Sequence, residues 1–159
     1  MPDVDALVRA LRAADLRVEA LAPLGDWTCL LQVDPVPGLS GTLMIREAGP
    51  DALEAAFTCS VTADTGTRTA EIERLLARAD RAVLPARLFL FRDELGFSVH
   101  GGCREADLEA LALEFVLIGR RACAFVLAPL AAWLAGEISH DEASALLETA
   151  KPETQKGDR

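Results

Sequence analysis

Residues 111–136 are almost entirely apolar, broken by charge only at Glu114, Arg120 and Arg121. No other stretch limits the fold as strongly. The part free of charge, Ala122–Gly136, is 15 residues long and contains Pro129. A membrane span needs about 20 apolar residues, so this segment is expected to be a core helix. It is apolar on two sides. Leu108, Leu111, Ala112, Phe115, Gly119, Ala122, Cys123 and Val126 follow one face, and Leu113, Leu117, Ala124 and Leu127 a second. Such a helix is covered on both sides: one side lies on a sheet, the other on a further helix or a partner. Arg120 and Arg121 must then reach water or a carboxylate. Either they lie along the helix edge, or they form an interfacial salt bridge with Glu114 or an acidic partner.

The rest of the chain supplies that sheet. Val4, Leu7, Val8 and Leu11 share one helical face behind an Asp3 cap, predicting a helix over 3–14. Asp15 and Val18 lead through a turn into a short extended piece. Three apolar runs follow, at 27–33, 41–47 and 53–62, separated by Asp34-Pro35-Val36-Pro37-Gly38 and Gly49-Pro50. They are expected to form an antiparallel meander. Thr69 is expected to cap a second helix with Ile72, Leu75, Leu76 and Ala79 inward, ended by Pro85. Strands are predicted at 87–92 and 97–100, with Asp93-Glu94-Leu95-Gly96 as the hairpin loop and Gly101-Gly102 as the end. The long helix comes next. A short helix opened by Ser139 with Glu142 at capping-box spacing, and with Ala143, Leu146 and Leu147 inward, closes the order. The order α-β-β-β-α-β-β-α, with that small α appended, predicts an α+β fold with helices packed on an antiparallel sheet. With 159 residues the chain reads as a single domain over 1–150 and a polar, disordered tail over 151–159.

Charge and motifs remove several functions. Residues 1–150 hold 13 arginines, no lysine and 23 carboxylates, a net charge of −10 that repels phosphate backbones and argues against nucleic acid. There is no phosphate-binding G-x-x-x-x-G-K-[ST], no dinucleotide G-x-G-x-x-G and no G-x-S-x-G. His100 and Cys103 are a lone H-x-x-C pair where zinc needs about four ligands, so no metal is expected. Ser98 and His100 share a strand face without a paired acid, and Asp93-Glu94 reads as a solvated turn. The acidic start Met1-Pro2-Asp3-Val4-Asp5 lacks the basic region of an export signal. It predicts a cytoplasmic chain with Cys29, Cys59, Cys103 and Cys123 reduced, most of them buried. Trp27 and Trp133 are expected in the core or an interface.

The order of elements resembles the class I type III secretion chaperones, and equally the YbjN family, which shares that fold. Leu84-Pro85-Ala86-Arg87-Leu88-Phe89-Leu90 leading to Gly96-Phe97-Ser98-Val99 looks like the YbjN strand pair. Leu130-Ala131-Ala132-Trp133-Leu134-Ala135-Gly136, followed by Ile138-Ser139-His140-Asp141-Glu142-Ala143, looks like the end of its last helix and its tail. The resemblance implies no enzyme activity and no cofactor. It implies a cytosolic homodimer that either holds an extended segment of a secreted protein or, as the YbjN family is described, regulates sensory transduction. The very apolar last helix departs from both patterns and implies a larger dimer interface, with Phe115, Arg120, Arg121 and Trp133 as candidates. An extended peptide would add a strand at a sheet edge and fill a groove beside helix one. Leu7, Leu11, Leu30 and Leu43 are the candidate lining, with ordinary core packing as the alternative. A small enzyme using His100, Ser98 or Asp93 also stays open.

Overall fold

A computed structural model describes residues 3–149, without the side chains of residues 81 and 82. The expected tail, 151–159, lies outside the described residues. Helix α1 is Val4–Ala13. The Asp3 carboxylate accepts the Ala6 amide at 2.9 Å, satisfying one of the helix's free donors. Asp15, with φ 63, turns the chain, and the expected extended piece becomes a full member of the sheet, β1 (Val18–Leu21). Strands β2 (Cys29–Val36), β3 (Leu39–Gly49) and β4 (Ala52–Thr62) follow as a meander. Contrary to the sequence expectation, β2 does not stop at Asp34. It continues through Pro35, at a register shift between Val33 and Val36 where no ladder donor is needed.

Helix α2 is Thr69–Ala79. Thr69 is its first residue and not its cap. Arg68 holds the cap position instead, its guanidinium over the Trp133 ring at 5.3 Å and donating to the Leu134 carbonyl at 3.0 Å. A 3₁₀ turn, Asp80–Val83, leads to β5 (Arg87–Phe91), which pairs with β6 (Glu94–Arg104). The hairpin is tighter than expected. Only Arg92 and Asp93 turn, and β6 runs through Gly96, Gly101 and Gly102. These glycines make room within the strand. A Cβ on Gly96 would fall on the Cys59 carbonyl oxygen and 2.6 Å from the Phe89 ring, and one on Gly101 would sit 3.1 Å from Phe115.

The long apolar segment is helical throughout but not uniform. Helix α3 (Leu108–Ala122) passes through a wide π turn, Cys123–Leu127, into α4 (Ala128–Leu134). Within the turn the Ala128 amide reaches back five residues to Cys123 O. Pro129, which follows, has no N–H to continue the regular ladder, and the widened turn accommodates it. Helix α5 is His140–Thr149.

The sheet has six strands in the order β1-β2-β3-β4-β6-β5, all antiparallel. It is an α+β fold with the helices on one face. Leu31, Leu43, Phe57 and Val99 stand in register across four strands and join Leu11, Ile72, Phe115 and Leu130 in one core. The neighbouring row, Gln32, Thr42, Thr58, Ser98 and Arg87, lies on the opposite, open face. No helix among the described residues is long and apolar enough to cross a membrane.

Candidate functional site

The structure removes the expected groove beside helix one. Leu7, Leu11 and Leu43 are buried in the core beneath α3 and line no surface. Leu30 is also buried but faces the other way, in a row with Leu21, Met44 and Ala56 on the open sheet face. Of the interface candidates, Phe115 and Trp133 are taken up inside the chain: Phe115 by the sheet, Trp133 between Arg68 and the edge-on ring of His140 at 5.4 Å. Arg120 donates its Nε to the Pro35 carbonyl at 2.9 Å, tying the end of α3 to the β2 irregularity. Arg121 is exposed. Two finer expectations also change: Leu127 turns into the core, and Leu146 is exposed.

The candidate catalytic groups do not converge. His100 and Cys103 are three residues apart on β6, so they project from opposite faces. Ser98 and His100 share the open face, whereas Asp93 sits in the hairpin turn, about 20 Å from His100 along an extended strand. Among the described residues no three His, Cys, Asp or Glu side chains group as metal ligands. The Cys59 and Cys123 thiols hydrogen-bond each other. That bond, then burial, pushes Cys123 far above the ordinary thiol range, and the same bond holds Cys59 below it. Cys59 in turn donates to the Ser40 carbonyl at 3.4 Å. Burial raises Cys29 and, with help from Asp107, Cys103. Thiols so protonated or enclosed are poor nucleophiles.

One surface does combine open backbone with a cleft of mixed apolar and charged lining. Strand β5 is the sheet edge, and between it and α2 runs an open groove of about 310 Å³, lined by Glu73, Leu76, Ala77, Asp80, Arg87, Leu88, Phe89 and Leu90. The Asp80 carboxylate spans the near end, accepting the outward Leu88 amide at 3.1 Å and Arg87 Nη1 at 2.9 Å. Backbone groups alternate in direction along an antiparallel strand, so Leu90 also points its N–H and C=O outward. The sequence carried a signal for this site: Leu88, Phe89, Leu90 and Phe91 are apolar without alternation. That pattern belongs to strands covered on both faces, yet here it stands at an edge, and only the strand order reveals the mismatch. Comparison with protein-family models, with curated proteins and with solved structures finds no match to this chain.

Proposed function

We propose that this protein is a non-catalytic, cytoplasmic protein-binding module that takes up an extended segment of a partner along β5. The carrying observation is the coincidence of an apolar edge strand with a cleft on its flank. A segment added beside β5 gains backbone hydrogen bonds from Leu90, and its alternate side chains drop between β5 and α2 onto Leu76 and Ala77. The carboxylates Glu73 and Asp80 beside the cleft, within an acidic body, select a segment that mixes apolar with basic residues. Asp80 guards the edge when it is empty, which limits sheet-to-sheet aggregation. This reading fits the chaperone-like resemblance of the sequence, with the groove moved from helix one to α2. Between a YbjN-like regulator and a dedicated secretion chaperone, the small size of the cleft favours the regulator, since it accommodates only a few side chains.

The test uses an alternating valine–lysine decapeptide and backbone amide chemical shifts of the full chain. Shifts are expected at 73–80 and 87–91, and Leu90→Pro is expected to abolish them. Proline there removes the outward N–H, and with it the leucine side chain at the cleft, while leaving the β5–β6 ladder whole. Shifts confined to other elements, or an unchanged response in Leu90→Pro, would reject the proposal.

A further inference from the structure

The outer side of α3 is uncovered. Leu117 is 57% exposed and Phe125 49% exposed, and exposed Ala110 and Ala124 and half-buried Leu113 extend them into a stripe on the side away from the sheet. In the wide turn each residue advances less around the axis, which brings Phe125 round toward this stripe. Along one flank lie Glu114 and Arg121, exposed and without an ion pair to any described residue. Contiguous apolar surface rimmed by unpaired charge marks a contact site.

From this arrangement we infer that the outer face of α3 docks on the same face of a second copy, the helices antiparallel about a two-fold axis. The stripe is self-complementary in that arrangement and in no parallel one. A two-fold axis lying in the contact plane and perpendicular to the helices keeps each flank on its own side while reversing direction. If Glu114 meets Arg121 of the second copy, the paired numbers sum to a constant. The same register sets Ala110, one of the smallest side chains of the stripe, against Phe125, the largest, and centres the contact on Leu117 and its symmetry mate. Charge and volume therefore agree on one alignment. The body of the protein is strongly acidic, so two copies approach against repulsion. Arg121, exposed on the flank of the stripe, puts local positive charge where the approach is closest. The stripe and the β5 groove lie on different elements, so this inference does not rest on the peptide-binding reading.

Sedimentation velocity of the full chain tests it. The native protein is expected to be dimeric at about 100 μM. Leu117→Glu is expected to make it monomeric with an unchanged far-ultraviolet spectrum, because Leu117 is outside the core. Arg121→Glu sets like charges opposite each other twice per dimer and is expected to weaken association at least about tenfold. Adding Glu114→Arg to Arg121→Glu restores opposite charges and should recover the dimer to within about threefold of native. A monomeric native chain overturns the proposal. So does a dimer indifferent to Leu117→Glu, or a double variant no tighter than Arg121→Glu alone.

Discussion

One of the tight points of the core is a missing side chain. Gly119 lies in α3 where the helix crosses the sheet, above the rings of Phe57 and Phe97, whose centroids are 5.8 Å apart. A Cβ at Gly119 would come 2.7 Å from Phe57 Cε1 and 2.9 Å from Phe97 Cζ. Two effects compete in Gly119→Ala. Alanine favours the helix by about 1 kcal/mol, while overpacking a filled core costs roughly 1–3 kcal/mol. Both rings are fully buried, on neighbouring strands, and neither can swing away without displacing the other. Overpacking therefore wins. Gly119→Ala is expected to lose about 1–2 kcal/mol, read as a lower urea midpoint at unchanged slope; a higher midpoint would show that the rings yield. The sequence places Gly119 on the inward face correctly. It cannot say which side chains oppose it, because Phe57 and Phe97 arrive from strands far away in the chain. The same limit hid the fate of Leu7, Leu11 and Leu43: their periodicity marks them as apolar-face residues, and only the position of α3 decides that the face is closed.

At the level of elements, legibility follows the range of the forces involved. Helix ends written in adjacent residues are read well. Asp3 caps α1, and Ser139 with Glu142 forms the expected reciprocal box, the Glu142 amide donating to Ser139 Oγ at 3.2 Å and the Ser139 amide to Glu142 Oε2 at 2.7 Å. Elements shaped by a neighbour are misread. Thr69 loses the cap because Arg68 is drawn to Trp133, and Gly96 is strand because Cys59 needs it bare. The box gives a local prediction. Ser139→Ala is expected to destabilise α5 by about 1 kcal/mol. The backbone and hydroxyl of Ser139 hold the Glu142 carboxyl below its ordinary range. A carboxyl depressed in the folded state stabilises above its unfolded value of about 4.3, and that contribution is lost as pH falls through the lower folded value. The gap between native protein and Ser139→Ala should therefore be full at pH 7 and narrow below about pH 4. Thermal melts across that range check it, and a gap independent of pH would assign the whole loss to the bond that Ser139 Oγ accepts from the Glu142 amide and none to the carboxyl.

For the molecule as a whole, the sequence yields the fold class and the helix-on-sheet layering, because both rest on hydrophobic period. It does not yield the strand order, and strand order decides which strand is the edge and where a cleft can open. What composition does settle is the electrostatic balance. Residues 1–150 carry −10, and the ion pairs set against it are on the surface: Arg46–Glu54 at 2.6 Å, Arg87–Asp80 at 2.9 Å and Arg104–Asp107 at 3.1 Å. Exposed pairs contribute about 0–1 kcal/mol each and weaken as salt rises. Repulsion among the excess carboxylates weakens too, and it acts more strongly on the compact state than on the spread chain. The two effects have opposite sign, so salt reports which is larger. With ten uncompensated charges against a few screened pairs, repulsion dominates. Raising sodium chloride from about 0.01 to 0.3 M shortens the screening length from about 30 to 6 Å, and the melting temperature is expected to rise by about 2–4 °C. The rise should level off once screening is shorter than the spacing of surface charges. A fall in melting temperature would mean that the surface pairs, few as they are, outweigh the repulsion of the acidic body.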